Sequence, residues 1–182
     1  MTSAPALEHV ETLIIGAGPA GAVAAAMLRQ RGRQVLVIER EQFPRFSIGE
    51  SLLPQSMEYL EAAGLLRDVV EAGFQFKNGA SFVWGDRETA FDFRDKFTPG
   101  WGTTYQVQRA HFDQVLADGA ARLGADVRYR HELIEFTPAV QQSLARIRRA
   151  DGTEFQVQAR HVLDASGFGR TLPRLLGLER PS

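Results

Sequence analysis

The fold is decided by the stretch Glu11-Thr12-Leu13-Ile14-Ile15-Gly16-Ala17-Gly18-Pro19-Ala20-Gly21. Its apolar run predicts a buried parallel strand, and its glycines have GxGxxG spacing. In such a unit Gly16 allows a tight turn, Gly18 lets a pyrophosphate approach the backbone, and Gly21 lets helix and strand pack closely. The alanine-rich residues 22–29 predict the helix that follows. Its exposed N–H groups and positive dipole end would hold the phosphates.

A second apolar run completes this unit. Residues 34–38 predict another parallel strand, which ends at Glu39. An acidic residue at that place, about 20 residues after the glycines, is positioned to accept hydrogen bonds from a ribose. A lone GxGxxG also occurs in ordinary strand-turn-helix units. Here it stands between a predicted strand and a predicted helix, and this context favours a dinucleotide site.

The composition narrows the class of protein. The 182 residues suit one domain, or one domain with an incomplete second, and they are 44% hydrophobic and 24% charged. The formal net charge of -1, without a long single-sign run, gives no indication of a nucleic-acid partner. The absence of cysteine excludes disulfides, thiolate nucleophiles and iron–sulfur clusters. We expect a cytoplasmic protein without a membrane partner, because no basic signal start and no membrane-length apolar run is visible.

The remaining pattern predicts an α/β doubly wound sheet with an antiparallel β-meander insertion and the start of a second layer. Residues 1–10 are expected to be a frayed leader, and residues 40–53 a loop long enough to be functional. Apolar spacing and glycine stops predict helices over 54–63, 65–72 and 110–123. Short alternating or apolar runs predict strands at 80–84, 89–94, 103–108, 126–129, 132–136, 143–149, 153–158 and 161–165.

Four stretches together carry a more specific resemblance. They are the GxGxxG unit with Glu39, Pro44-Arg45-Phe46-Ser47-Ile48-Gly49-Glu50-Ser51-Leu52-Leu53-Pro54, Tyr105-Gln106-Val107-Gln108-Arg109-Ala110-His111-Phe112-Asp113, and Asp164-Ala165-Ser166-Gly167-Phe168-Gly169-Arg170. In this order they resemble the FAD-dependent monooxygenase superfamily with the glutathione-reductase-type FAD fold. The second stretch, followed by residues 76–85, is similar to flavin-dependent halogenases that act on pyrrolic, phenolic or carrier-tethered substrates.

The resemblance covers nearly the whole chain from about residue 10. It implies a Rossmann-like FAD-binding domain over residues 11–182, with residues 74–108 contributing to a substrate-facing layer. It also implies that the chain is the N-terminal portion of a longer enzyme of secondary metabolism. The halogenases' WxWxIP motif and later Gly-Asp segment would both lie beyond residue 182.

The resemblance assigns cofactor-binding roles residue by residue. The glycines would hold the FAD pyrophosphate, Glu39 the adenosine ribose, and the loop after the second strand would pass beside the flavin. Arg170 would lie near the phosphates. The candidate cofactor-binding residues are Gly16, Gly18, Pro19, Ala20, Gly21, Glu39, Arg40, Arg45, Gly49, Glu50, Ser51, Arg109, Asp164 and Gly167.

Lys77 is the candidate catalytic residue. The resemblance implies a flavin hydroperoxide, formed from reduced FAD and O2, that chloride or bromide attacks to give hypohalous acid. A lysine then directs this species at the substrate, and an amine suits that role because it is a compact donor. On the residues alone, a solvated surface charge is the commoner state of a lysine. A separate flavin reductase would supply the reduced FAD.

Two charged residues have a second interpretation that depends only on helix position. Glu50 is interpreted equally well as a charge at the start of the following helix, and Arg109 as an unfavourable basic start to its own helix. Trp84 and Trp101 are expected to be core or interface aromatics. The four histidines share no metal-ligand spacing, so no metal site is predicted.

The competing functions are a related FAD-dependent monooxygenase (hydroxylase) or reductase, and a non-catalytic FAD-binding fragment. A plain NAD dehydrogenase gives no role to the Gly49-Glu50-Ser51 loop. The identity of the substrate, the preferred halide and the oligomeric state do not follow from the sequence.

Overall fold

The computed structural model describes residues 6–179, and these form a six-stranded sheet with helices packed mainly on one face, together with a small second layer of two two-stranded sheets. In chain order the elements are β1 (Leu7–Ile15), α1 (Pro19–Gln30), β2 (Val35–Glu39), α2 (Pro54–Ala62), α3 (Leu66–Glu71), β3 (Gln75–Lys77), β4 (Gly79–Trp84), β5 (Arg87–Asp92), β6 (Thr104–Gln106), α4 (Arg109–Arg122), β7 (Asp126–Tyr129), β8 (His131–Thr137), β9 (Ser143–Arg149), β10 (Glu154–Asp164), a 3-10 helix (Gly167–Gly169) and α5 (Thr171–Leu175).

The main sheet confirms the predicted mixed α/β architecture. Its strand order is β7-β2-β1-β10-β9-β8. The first four strands are parallel, and β9 and β8 add to β10 as an antiparallel meander. Because β2 lies on one side of β1 and β10 on the other, the carboxyl end of β1 is a topological switch point. Ligands of open α/β sheets bind at such a point.

Strand register brings three chain segments to one edge of the sheet. Ile15, the last residue of β1, pairs with Ile38 of β2 and with Asp164 of β10. The glycine turn, the end of β2 and the segment after β10 therefore meet within a few residues of one another. The edge that the GxGxxG pattern indicated is thus formed by three strands that are far apart in sequence.

The expected leader was wrong at its C-terminal end. β1 begins at Leu7, and Leu7 to Val10 pair in parallel with Gln156 to Ala159 of β10. The physical reason is that β10 begins at Glu154, well before His161, which pairs with Thr12. The first residues of β10 therefore offer backbone partners to Leu7 to Val10. Residues 1–5 of that leader lie outside the described part of the chain.

Two strands that the sequence predicts separately form a single strand in the structure. The segments 153–158 and 161–165 merge into β10, an 11-residue strand. Residues 159–160, which lie between the two predicted strands, stay extended because Ala159 pairs on both sides, with Val10 of β1 and with Ser143 of β9.

The core lies on both faces of the sheet because side chains alternate along each strand. Ile14 and Val37 point toward α1 and α4, and Leu116 and Ala120 of α4 complete that cluster. On the opposite face, the buried residues that pack together come from the parallel strands and the meander: Leu13, Ile15, Leu36, Ile38, Leu133, Ala145, Ile147, Phe155, Val157 and Ala159.

The second layer is small. β3 pairs with β6, and β4 pairs with β5 around the turn at Gly85-Asp86. Trp101 is half-buried and donates from Nε1 to Glu61 Oε2 at 3.3 Å. Trp84 is 87% exposed at the end of the hairpin, which excludes the core alternative and leaves the interface alternative as a prediction. None of the helices within residues 6–179 has the length and hydropathy needed to cross a membrane.

Candidate functional site

A cleft opens at the carboxyl edge of the parallel strands. Its volume is about 860 Å³, within the range typical of small-molecule and cofactor sites. It is bounded by the glycine turn, the end of β2, the start of β8 and residues 165–169. A further wall comes from residues 45–48, which belong to the segment of residues 44–51 that we call the strap.

The glycine turn forms the floor of the cleft, where a side chain would not fit at two positions. Gly16 has φ +100°, and a Cβ there would lie 2.7 Å from the carbonyl oxygen of Ala165. A Cβ on Gly21 would lie 1.9 Å from the carbonyl oxygen of Gly16. The turn and the close helix–strand packing proposed from the sequence both require glycine here.

The N-terminus of α1 faces this cleft. Gly18 is its N-cap and Pro19 its first residue, and within residues 6–179 no side chain caps it. A helix without a capping side chain leaves N–H groups of its first turn available to an anion. A Cβ on Gly18 would lie 3.5 Å from Arg45 Nη2, so the arginine stands directly beside this helix start.

Glu39 is a buried carboxylate held by the backbone. Its Oε2 accepts from the N–H of Ala17 at 3.0 Å, and its Oε1 accepts from the N–H of Glu41 at 3.0 Å. The residue is 5% exposed. Each carboxylate oxygen retains a second lone pair, so Glu39 remains able to accept from a ribose hydroxyl. Arg40 points outward, with its Nε 3.7 Å from Glu41 Oε1.

Tyr129 stands beside Glu39 on the neighbouring strand. The two residues are register partners, and the Tyr129 ring packs against Phe43 at 5.2 Å between centroids. Burial, then the negative charges of Asp118 and Glu39, raise the pKa of the Tyr129 hydroxyl to about 12. Tyr129 is therefore neutral at physiological pH.

The strap is tied to the start of α4 by charged side chains. Arg109, the first residue of α4, donates from Nε and Nη2 to the two oxygens of Asp113, at 2.7 and 2.9 Å. Its Nη1 donates to the carbonyl oxygen of Ile48. Arg45 Nη1 lies 3.4 Å from Asp113 Oδ2. The unfavourable positive charge of Arg109 at the start of α4 is thus offset by a bidentate ion pair with Asp113, one helical turn farther along.

Asp113 is a site residue that sequence reasoning missed. It is fully buried, although it lies on the apolar face of α4 beside Phe112 and Leu116. Its i,i+4 spacing from Arg109 was a usable signal, because residues so spaced are neighbours on a helix. A carboxylate within an apolar stripe is rarely buried without a partner, which was a second signal.

The C-terminal half of the strap runs beside β6 and is joined to it by an isolated antiparallel β-bridge. Ser51 makes a bridge with Gln106, and the N–H of Val107 donates to the carbonyl oxygen of Glu50 at 2.8 Å. The Glu50 side chain is exposed and lies in the strap before α2. Gly49 has φ +95°, which favours glycine at that bend.

Lys77 is attached to this same end of the strap. Its ammonium donates to Ser51 Oγ and, at 3.4 Å, to the carbonyl oxygen of Leu52. The ammonium also lies 5.2 Å from the centroid of the Phe93 ring. Lys77 is half-buried and bonded to the strap, so it is not a freely solvated surface charge.

The segment after β10 returns to the cleft through its backbone. The Asp164 carboxylate accepts from the N–H groups of Ser166 at 3.0 Å and Leu172 at 2.8 Å, so it stabilises its own turn. Gly167 has φ +57° and lines the cleft. Arg170 is turned toward Glu179, with its Nε 3.8 Å from Oε1.

The structure thus divides the predicted site residues into two groups. Those lining the cleft are Gly16, Gly18, Pro19, Ala20, Glu39, Arg40, Arg45, Arg109 and Gly167. Those outside its lining are Gly21, Gly49, Glu50, Ser51, Lys77 and Asp164. Gly21 and Asp164 support the walls, whereas Ser51 and Lys77 meet at the far end of the strap.

Comparison with known proteins identifies this type of domain. A family model described as FAD binding domain matches residues 9–182. The chain is 34% identical over 165 residues to the 1H-pyrrole-2-carbonyl-(peptidyl-carrier protein) brominase of Pseudoalteromonas luteoviolacea (strain 2ta16). That alignment covers 90% of this chain and 39% of the brominase.

Solved structures give the same result. A flavoprotein/dehydrogenase from Cytophaga hutchinsonii superposes with a TM-score of 0.92 at 47% identity, covering 95% of this chain and 43% of that one. The myxobacterial chondrochloren halogenase superposes with a TM-score of 0.79 at 38% identity, covering 87% and 37%. The chain spans about two fifths of the length of these relatives.

Proposed function

The chain belongs to the FAD-binding domain family, and from this premise we propose that it forms the FAD-binding part of a flavin-dependent halogenase. The proposed oxidoreductase uses reduced FAD, O2 and chloride or bromide to halogenate an electron-rich pyrrolic, phenolic or carrier-tethered substrate. The observation that supports it is the attachment of the Lys77 ammonium to the strap that borders the cleft.

The residues of the cleft fit FAD. The uncapped N-terminus of α1 and the adjacent Arg45 are suited to a pyrophosphate, and Glu39 is suited to a ribose. The segment at Gly167 supplies a second backbone approach. The volume of about 860 Å³ matches an extended cofactor better than a small metabolite.

Reduced FAD, when bound, supplies the two electrons that activate O2 for oxidation of the halide. The residues of the chain would bind the cofactor and exclude water from it. The N-terminus of α1 and Arg45 would bind the pyrophosphate, Glu39 would bind the ribose, and the strap would exclude water. Lys77 would orient hypohalous acid by hydrogen bonding. Two of the three N–H donors of its ammonium are taken, one by Ser51 of the strap and one by the carbonyl oxygen of Leu52, which fixes the direction of the remaining N–H.

A second candidate function is a reductase or hydroxylase reaction without halide. It is favoured by the 47% identity to the flavoprotein/dehydrogenase, which exceeds the identity to the brominase. Residues 74–108 would then border the substrate in the same way. The two candidates differ in whether product formation requires halide.

A halide-dependence assay tests the proposal. The protein that carries this chain would receive reduced FAD, a separate flavin reductase, chloride or bromide, and a panel of pyrrole and phenol substrates, some carrier-bound. We expect halogenated product, identified by its isotope pattern. Hydroxylated or reduced product that forms equally without halide would contradict the halogenase proposal and favour the second candidate. FAD binding without turnover of any substrate would favour the non-catalytic fragment. The same proposal includes a separate flavin reductase as a partner, a cytoplasmic location, and an FAD-binding domain over residues 11–182 in which residues 74–108 contribute to a substrate-facing layer.

Lys77→Met sharpens this test. We expect halogenation to fall by about a thousandfold while flavin oxidation continues, because general acid–base and hydrogen-bonding groups contribute effects of that order. Lys96→Met is the matched control, since the chain has only these two lysines and Lys96 donates to the carbonyl oxygen of Trp101 at 2.6 Å. Equal losses of halogenation in both variants would mean that Lys77 has no specific role in the reaction.

A further inference from the structure

One buried carboxylate, Asp113, pairs with two of the arginines that line the cleft, Arg45 and Arg109. The Asp113 side chain is 1% exposed, and those of Arg45 and Arg109 are 19% and 15% exposed. Arg109 binds both of its oxygens, and Arg45 approaches Oδ2 at 3.4 Å. The three side chains therefore form a half-enclosed cluster with a net charge of +1.

The position of this cluster makes its charge important. A Cβ on Gly18 would lie 3.5 Å from Arg45 Nη2 and 3.9 Å from Asp113 Oδ2, so the cluster borders the start of α1. A buried carboxylate alone would repel a diphosphate at that place. Two guanidinium groups reverse the sign of the local charge, and Arg45 keeps N–H donors for an anion.

The same cluster fastens the first half of the strap. Arg45 is a strap residue, and Arg109 donates to the carbonyl oxygen of Ile48, three residues farther along. The apolar side chains of this half are poorly buried, since Phe46 is 86% and Ile48 59% exposed. Charged contacts that converge on Asp113 therefore hold this half, in place of apolar burial.

We propose that Asp113 is a positioning residue that latches strap residues 45–48 to the rim of the cleft. Through Arg109 it fixes the backbone at Ile48, and through Arg45 it directs a guanidinium at the diphosphate of a dinucleotide. The part of this inference that concerns FAD rests on the proposed function. The latch itself is a property of the protein without cofactor.

Limited proteolysis combined with FAD titration tests the latch. In Asp113→Asn the neutral side chain loses its attraction for both arginines. We expect trypsin to cleave after Arg45 about tenfold faster in the cofactor-free protein, because the scissile arginine and the following backbone are released. The dissociation constant for FAD, measured by flavin fluorescence, should rise by about tenfold.

Asp68→Asn is the matched control. Asp68 pairs with Arg122 at 2.5 Å, at the opposite end of α4 from the cleft. This variant also removes an ion pair from α4, and it should leave both the cleavage rate after Arg45 and the affinity for FAD within about twofold of wild type. A general loosening of α4 would instead accelerate cleavage in both variants.

The outcomes separate the two proposals. If folded Asp113→Asn shows the wild-type cleavage rate after Arg45, the latch is wrong. If Asp113→Asn does not fold, Arg109→Lys decides, because lysine keeps the charge but does not bridge Asp113 and Ile48 together. A wild-type rate of cleavage after Arg45 in that variant also overturns the latch.

If wild-type protein does not bind FAD, the proposed function fails, while the proteolysis still decides whether Asp113 holds the strap.

Discussion

The floor of the cleft and the strap are held by different kinds of force. The floor consists of backbone, with Gly16 and Gly21 in contacts that leave no room for a side chain. Glu39, which joins it, is fixed by two backbone N–H groups. The first half of the strap, residues 45–48, is held mainly by charged side chains, and Phe46 within it is 86% exposed.

Because of this difference, a substitution in the floor and a substitution in the strap should have different consequences. A floor made of backbone and buried strands is a consequence of folding, so it changes only when the fold is disturbed. The strap and the Lys77 region depend on a few polar contacts, and single side chains there can alter the reaction without unfolding the protein. Substitutions at Gly21, Ser51 and Tyr129 test this contrast.

The largest effect is expected at the floor. Gly21→Ala places a Cβ 1.9 Å from the carbonyl oxygen of Gly16, so helix and turn must separate. We expect a loss of about 3 kcal/mol in the free energy of unfolding, measured with chemical denaturant, together with loss of FAD binding.

Gly152→Ala is the control for this substitution. Gly152 has φ +82° but no atom within 4 Å of an added Cβ, so only backbone strain of about 1 kcal/mol is expected. Equal losses of stability in the two variants would mean that close packing at Gly21 is not what holds the floor.

A smaller and more selective effect is expected in the strap. Ser51→Ala removes the hydroxyl that accepts from the Lys77 ammonium, while the backbone bridge to Gln106 persists. We expect product formation to fall by about tenfold, because the amine loses one of its orienting partners. The affinity for FAD and the unfolding midpoint should stay at wild-type values. Parallel loss of FAD affinity would show that the strap and the floor are not separable.

The smallest effect is a pH dependence at the boundary between the regions. Burial and nearby carboxylates raise the pKa of Tyr129 to about 12, above the value of about 10 in an unfolded chain. The Tyr129 hydroxyl therefore keeps its proton up to a higher pH in the folded state than in the unfolded state. The stability that it contributes is complete below about pH 10 and is lost as the pH rises toward about 12.

Tyr129→Phe should flatten this part of the pH profile. Thermal unfolding midpoints between about pH 9 and pH 11 would fall less steeply in the variant than in wild type. Tyr59→Phe is the control, because Tyr59 is 54% exposed on α2. Parallel profiles in wild type and Tyr129→Phe would mean that this hydroxyl does not titrate differently in the folded state.

Local patterns predicted the elements that form within short stretches. The unit from Thr12 to Glu39 has the predicted strand, glycine turn, helix and second strand, since each element is specified by neighbours in sequence. The hairpin of residues 79–92 and the helix of residues 109–122 also match their predictions, with bounds shifted by one or two residues.

Patterns failed where the partner is distant. The start of β1 at Leu7 and the continuity of β10 depend on pairing between residues about 150 positions apart, and no local period reports such a partner. The pairing of Asp113 with Arg45 joins a helix to a distant loop, and nothing in either stretch of sequence points to the other. Lys77 meeting Ser51 is a third case of this kind.

By itself, the sequence determined the class of fold, the glycine turn and the acidic residue that ends the second strand. These depend on hydrophobic period and on backbone conformations that only glycine adopts freely. The pairing of Arg109 with Asp113 follows from their i,i+4 spacing on α4, but only the folded chain brings Arg45 to that pair. A buried carboxylate is stable only where folding supplies such counter-charges, and that depends on three-dimensional proximity.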